Sequence, residues 1–207
     1  MRKADQYAHK AAGWSDAEYA DAAEYLAHRA ELIATLGTPL ANGDEVLDLA
    51  CGDGGLGAFL VDRGLRYRGV DAEPAMVDAA RRRLGERATV EAGDLNDYSP
   101  PSPVTATTVF RAIYYARDRA SFFARVATFT ENKLVFDLNP RQYRVEDVVD
   151  DLRAAGFERI VLRPFFVPQT QRLPGPLVGL AKAAERSGPL ARLALRARFT
   201  YVVAACR

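Results

Sequence analysis

With 207 residues, 49% of them hydrophobic and 27% charged, and a formal net charge of +1, the chain has the make-up of one ordinary globular domain. It is not built to coat nucleic acid, and no run of about 18 apolar residues is present to span a membrane. The start, MRKADQYAHKAAGWSDAEYA, lacks the apolar core of a signal peptide. Cys51, Cys206, His9 and His28 match no metal or redox spacing, so no metal site and a reducing, cytoplasmic compartment are expected.

Ser15 and Glu18 have the spacing of a capping box. After them Tyr19, Ala22, Ala23, Leu26, Ala30, Ile33 and Leu36 recur at helical intervals, which predicts one long helix over 16–36. GTPLANGD (37–44) is a turn cluster. An alternation of strands and helices follows. Strands are expected at 45–50, 67–72, 88–94, 105–113, 133–140 and 158–167, with helices at 57–64, 75–84, 119–129 and 145–157. Pro74 suits a first helical turn, and Gly156 suits a helix stop. A final strand is expected at 198–207. The strands are apolar on both faces, as a parallel sheet covered on both sides requires. The fold class is therefore α/β and doubly wound, with ligand at the carboxyl ends of the strands.

The stretch LDLACGDGGLG (47–57) holds Gly52, Gly54 and Gly57 in a G-x-G-x-x-G spacing. Glycines let a strand turn tightly into a helix and bring backbone close to a ligand. The helix N-terminus then offers free N–H groups to an anion, phosphate or carboxylate. Taken alone this spacing also fits a nicotinamide dinucleotide. Three acids discriminate. Asp48 at the end of strand one would repel a pyrophosphate but attract an ammonium group. Asp71 ends strand two, 19 residues after Gly52, and can accept both hydroxyls of a ribose. Asp94 in GDL (93–95) can accept from an adenine amino group, with the Leu95 N–H donating to the ring.

In order along the chain, these segments resemble the class I S-adenosylmethionine-dependent methyltransferases. VLDLACGDGGLGAFL resembles the first family motif, with Ala50 at its first glycine position and Asp53 where Thr or Ser is frequent. GVDAEPAMVDAARRRL resembles the second, VEAGDLNDY the third, and TVFRAIYY the strand-four segment. The resemblance implies a seven-stranded, mostly parallel sheet whose last strand lies antiparallel between strands five and six. It implies S-adenosylmethionine as cofactor and S-adenosylhomocysteine as product. The cofactor-binding residues it implies are Asp48, Ala50, Cys51, Gly52, Gly54, Asp71, Ala72, Met76, Asp94, Leu95 and Arg111.

Methyl transfer from a sulfonium relies chiefly on alignment in a water-poor site, and a base helps only where the acceptor must lose a proton. No residue identifies itself as that base. Tyr114, Tyr115 and Arg111, after strand four, are the catalytic candidates. Tyr7, His9, Trp14, Tyr19 and His28 belong to an N-terminal cap (1–40), and His28 reads as a solvated helix residue. NPRQY (139–143) reads as a loop.

Between strand six and the last strand lies an insert (168–198). Residues 169–198 carry a formal charge of +5 against −4 for the rest of the chain. Leu177, Leu180, Ala181 and Ala184 form one helical stripe, and Leu190, Leu193, Ala194 and Ala197 another, separated by Gly188-Pro189. Two basic amphipathic helices are expected. They would cap the site over an apolar or acidic substrate, or rest on an anionic membrane surface.

The sequence thus reads as one methyltransferase domain over 1–207, monomeric or homodimeric, acting on a small molecule with O, N or C as acceptor. A nucleic-acid partner is not expected. The alternatives are an NAD-dependent oxidoreductase and a non-catalytic, adenosyl-ligand-binding relative of the fold.

Overall fold

The computed structural model describes residues 14–197 and 200–207. Tyr7, His9 and Arg198 lie outside the described residues. The chain opens with helices α1 (Trp14–Glu18) and α2 (Ala22–Thr35). Six strands and four helices follow, alternating except between β3 and β4: β1 (Glu45–Leu49), α3 (Gly55–Asp62), β2 (Arg66–Asp71), α4 (Pro74–Leu84), β3 (Thr89–Ala92), β4 (Val104–Val109), α5 (Arg119–Phe129), β5 (Thr130–Leu138), α6 (Val145–Ala154) and β6 (Arg159–Pro164). Helices α7 (Gly175–Glu185) and α8 (Gly188–Arg196) precede β7 (Tyr201–Cys206).

The seven strands form one sheet in the order β3-β2-β1-β4-β5-β7-β6. Strands β1 to β5 pair in parallel, and β7 runs antiparallel to both neighbours, with Phe136 and Leu162 opposite Val203. This is the arrangement the resemblance implies. Successive residues of a strand point to opposite faces. Val46 joins Leu26, Ile33, Leu60 and Leu84 from α2, α3 and α4. Leu47 and Leu49 join Phe122, Phe123, Val126 and Leu152 from α5 and α6. Strand order reverses between β1 and β4, so the loops after these strands splay apart and leave a crevice.

Local chemistry sets the helix ends. The Asp21 carboxylate accepts from the Glu24 N–H at 3.1 Å, and Asp118 accepts from the Ser121 N–H at 2.8 Å. Pro74 opens α4, whose last turn carries Arg81, Arg82 and Arg83 beside the negative end of the helix dipole. Gly156 takes φ +92° just past α6, as expected of a stop residue.

The N-terminal helix departs from expectation. The single helix over 16–36 is broken at Tyr19–Asp21. The Ala20 N–H leaves the helical pattern to donate to the Gln169 carbonyl at 2.9 Å, and Asp21 caps a new helix. The capping box is not formed either: the Ser15 hydroxyl donates to Asp53 at 2.5 Å, and Glu18 pairs with Arg111 at 3.2 Å.

Candidate active site

A cavity of about 650 Å³ opens over the carboxyl ends of β1, β2 and β4, with α1 and α2 along its other side. The first wall is the β1–α3 loop. Ala50, Gly52 and Gly54 have φ of 61°, 58° and 73°, the left-handed region. The two oxygens of Asp71 hold this loop and the next: one accepts from the Gly52 N–H at 2.8 Å and the other from the Glu73 N–H at 2.9 Å. Burial raises the Asp71 pKa, and these donors oppose the rise. Ala50, Cys51, Gly52, Asp71 and Ala72 all reach the cavity.

Gly54 does not. A Cβ there would lie 3.1 Å from the Ala80 Cβ and the Leu84 Cδ1, so it turns the chain and lets α4 approach α3. Gly57 faces away as well, where a Cβ would meet the Tyr67 ring at 2.6 Å. Only Gly52 of the G-x-G-x-x-G trio stands on the cavity wall.

Asp48 forms the floor. It is buried and accepts from the Tyr67 hydroxyl at 2.7 Å and the Thr108 hydroxyl at 2.9 Å. Burial pushes its pKa up to about 6 against the pull of these two hydrogen bonds. Burial also holds the Cys51 thiol well above its ordinary value, which removes it as a nucleophile.

The second side of the cavity holds Arg29, a residue for which the sequence reading found no role. It projects from α2, is buried, and donates to the Tyr25 hydroxyl at 2.9 Å and to Asp137 at 3.3 Å. Its guanidinium carbon lies 4.6 Å from the ring centroids of both Tyr25 and Phe110. The signal was present: Leu26, Arg29 and Ile33 share one helical face, and a cation on an apolar face asks for a partner. The same signal applies to His28. It is buried rather than solvated, because its Nε2 meets the Glu185 carboxylate at 2.6 Å and its ring stacks on Phe165.

Arg111, at the end of β4, lines the cavity but is already engaged. Its N–H donates to Asp137 at 2.7 Å, its guanidinium meets Glu18 at 3.2 Å and lies 5.7 Å from the Tyr19 ring, and its φ is +55°. It holds α1 over the site. Asp53, read from sequence only as a departure from the motif, makes the matching tie. Buried and paired with Arg83 at 2.8 Å, it accepts from both the Ser15 N–H and hydroxyl.

The far wall is made by Met76, Asp94, Leu95 and Asn96. Met76 is buried against Ala79, with Trp14 and Ala75 packed alongside. The Asp94 carboxylate is exposed, and the Asn96 N–H and side-chain amide at 2.8 Å hold its pKa below the ordinary value. Tyr114 and Tyr115 stand exposed at the cavity edge with ring centroids 4.4 Å apart. Among the described residues, no cluster of three or more His, Cys, Asp or Glu side chains gathers in the geometry of a metal site.

The insert does not cap the cavity with its apolar stripes: among the described residues, none of the insert lines it. Leu177, Leu180, Leu190 and Leu193 are exposed, while Val178, Glu185 and Ala194 face inward. The inversion has a physical cause. Glu185, the one acid of the insert, is drawn inside by His28 and by the Phe166 N–H at 2.7 Å.

A family model described as a methyltransferase domain matches residues 46–133, the span from β1 into β5. Over 109 residues the chain is 32% identical to trans-aconitate 2-methyltransferase of Escherichia coli, covering 52% of this chain and 42% of that protein. The chain spans under half the length of the curated relatives it matches. Among solved structures, a chain of the Haloferax volcanii complex between the Trm112 activator and a methyltransferase superposes with a TM-score of 0.68 at 19% identity, covering 98% of this chain and 94% of that one. Magnesium protoporphyrin IX methyltransferase of Synechocystis PCC 6803, solved with bound S-adenosylmethionine, superposes with a TM-score of 0.59 at 15% identity, covering 99% and 82%. The sheet order and the motif loops that converge on the crevice are those of the class I S-adenosylmethionine-dependent methyltransferase fold, and residues 46–133 match a methyltransferase domain.

Proposed function

We propose that the chain transfers the methyl group of S-adenosylmethionine to a small-molecule acceptor. The observation that carries the donor assignment is the pair of opposite charges in the cavity, Asp48 on the floor and Arg29 on the α2 side. An amino-acid end bears an ammonium and a carboxylate, and these two buried side chains complement them. A nicotinamide dinucleotide would instead bring a pyrophosphate towards the Asp48 carboxylate.

The residues fit the rest of the donor as well. Asp71 keeps a free lone pair on each oxygen for a ribose hydroxyl beyond the backbone N–H it already accepts. Met76 and Leu95 offer apolar surface for the adenine, and Asp94 an acceptor for its amino group. The bound donor supplies an activated methyl on a sulfonium. The protein's part is to align an acceptor, exclude water and keep the opposing charges fixed.

The acceptor side is bounded by Tyr19, Phe110, Arg111, Tyr114 and Tyr115. Among the described residues that line the cavity there is no histidine, and His28 is committed to Glu185. This wall suits an acceptor with a lone pair already available, a carboxylate or an amine that is neutral at the working pH, over one that must be deprotonated by the protein. The trans-aconitate relative, a carboxylic-acid enzyme by name, supports the carboxylate choice. Tyr114 and Tyr115 serve as shape and hydrogen-bonding elements.

Calorimetric titration with S-adenosylhomocysteine and with NAD tests the donor. Binding of the sulfur nucleotide alone is expected, weakened about tenfold to a hundredfold in Arg29→Met, the worth of a charge-assisted hydrogen bond. NAD binding, or nucleotide affinity indifferent to Arg29, would overturn the reading. Turnover with a panel of carboxylic acids and amines then tests the acceptor class.

A further inference from the structure

The α7–α8 hairpin presents a surface that the reaction does not use. Six large hydrophobic side chains are exposed among the described residues, and four of them, Leu177, Leu180, Leu190 and Leu193, sit on these two helices at 42–65% exposure. The hairpin is not loosely attached. Val178, Glu185 and Ala194 are buried beneath it, and the Tyr201 hydroxyl donates to the Ala191 carbonyl at 2.9 Å. Its inner side is tied to α2 by Lys182–Glu24 at 2.6 Å and by the buried His28–Glu185 contact at 2.6 Å. The leucines therefore face outward from a fixed platform.

The charge around them is one-sided. Glu185 is the only acid from 169 to 197, and it points inward. The outward side chains that flank the leucines are cationic or neutral: Arg172 at 79% exposure, Arg186 at 66% and the exposed Arg192. The ion pairs of Arg172 with Asp21 and of Arg186 with Glu31 are solvent-exposed, of the kind worth little in water and readily exchanged for another anion. The face carries no Trp or Tyr between 168 and 197, the aromatic anchors of protein–protein hot spots. Leucines among arginines on two short helices suit the boundary between headgroups and acyl chains.

We propose that the α7–α8 hairpin docks on an anionic lipid surface. The helices lie flat, with Leu177, Leu180, Leu190 and Leu193 entering the acyl boundary and Arg172, Arg186 and Arg192 among the lipid phosphates. Burial of Glu185 takes the insert's one carboxylate off this face. The other face of the docked platform bears on α2, which lines the cavity, so docking holds the cavity wall close to the surface without contributing a residue to it. The surface and the donor site share no side chain, so either assignment can fail alone.

Co-sedimentation of the full chain with vesicles tests it, using phosphatidylcholine alone and an equimolar mixture with phosphatidylglycerol. Binding to the anionic vesicles, weakened by added salt and absent on phosphatidylcholine, is expected. Leu180→Ser and Leu193→Ser should each lower the partition coefficient about fivefold, the share of a partly inserted leucine. Arg192→Glu should lower it at least as much, at about 1 kcal/mol for each cation near such a surface. Melting temperature and S-adenosylhomocysteine affinity should stay unchanged in all three. No binding to anionic vesicles, equal binding to both compositions, or binding that the leucine variants leave intact would overturn the proposal. So would concentration-dependent dimers that the same variants abolish, which would assign the face to a second copy of the chain.

Discussion

Ala50 stands at φ +61°, a conformation that costs an L-residue about 1–2 kcal/mol relative to glycine. In the sequence Ala50 shows only as a departure from glycine at the first position of the motif. The backbone angle gives the reason for glycine at this position. Ala50→Gly should raise stability by up to about 1 kcal/mol, since part of the relief is offset by the freer unfolded chain. A rise of about 2–4 °C in melting temperature would register it. Asp48 supplies a second test. With its pKa pushed up to about 6 by burial, its carboxylate is charged at neutral pH and protonated below that value. Affinity for the donor should fall as pH drops from 7.5 towards 5, and Asp48→Asn should abolish this dependence in calorimetry. The stability effect has the opposite direction. The folded state takes up a proton that the unfolded chain does not hold between about 6 and 3.8, so this carboxyl favours folding more as pH falls through that window. Individual acids of the site were legible because each ends a strand, where spacing is informative. Arg29 showed only as a cation on an apolar helical face and Asp53 only as a departure from the motif, because Asp137 and Ser15, which give them their roles, lie 108 and 38 residues away in sequence.

At the level of elements, α2 is gripped from two sides. Arg29 and Leu26 face the cavity, while His28, Glu24 and Glu31 face the insert. Glu185→Ala should therefore be costly. It removes the carboxylate that meets the His28 ring and accepts from the Phe166 N–H, and loss of one half of a buried pair costs about 3–5 kcal/mol. Chemical denaturation should show this, with Glu185→Gln recovering part of it by keeping the hydrogen bonds. The α1 clamp makes a separate prediction. Ser15→Ala removes the hydroxyl donated to Asp53 but leaves its salt bridge with Arg83. Donor dissociation should speed up in stopped-flow while melting temperature changes little, because α1 closes the cavity and adds little to the core. The apolar periodicity of 16–36 was read correctly as helical. Its break at Tyr19–Asp21 was hidden, because the bond that draws Ala20 away comes from Gln169. The stripes of the insert were visible too, yet periodicity marks a face without saying which way it points. Here one buried carboxylate settles the direction.

At the level of the whole molecule, the alternation of strands and helices identified the doubly wound sheet, and its strands stand within a few residues of where the pattern put them. The place of β7 could not be read from periodicity. It came from the family resemblance, and the sheet order agrees. That place has a consequence for how the chain comes to be folded as it is made. Strands β1 to β4 pair with each other and meet their partners early. Strand β6 pairs with β7 alone, and β5 offers β7 one entire edge. A nascent chain therefore carries an unfilled slot beside β5, and a strand with nothing to pair with, until residues 201–206 have been synthesised. Pulse-labelling hydrogen exchange during refolding should show protection at β1 and β2 before β6 and β7, since β1 and β2 pair residues 21 apart, whereas β7 must close on β5 across 63 to 73 residues and β6 has no partner but β7. The half that bears the donor loops assembles first, and the half that bears the insert waits for the strand that locks it.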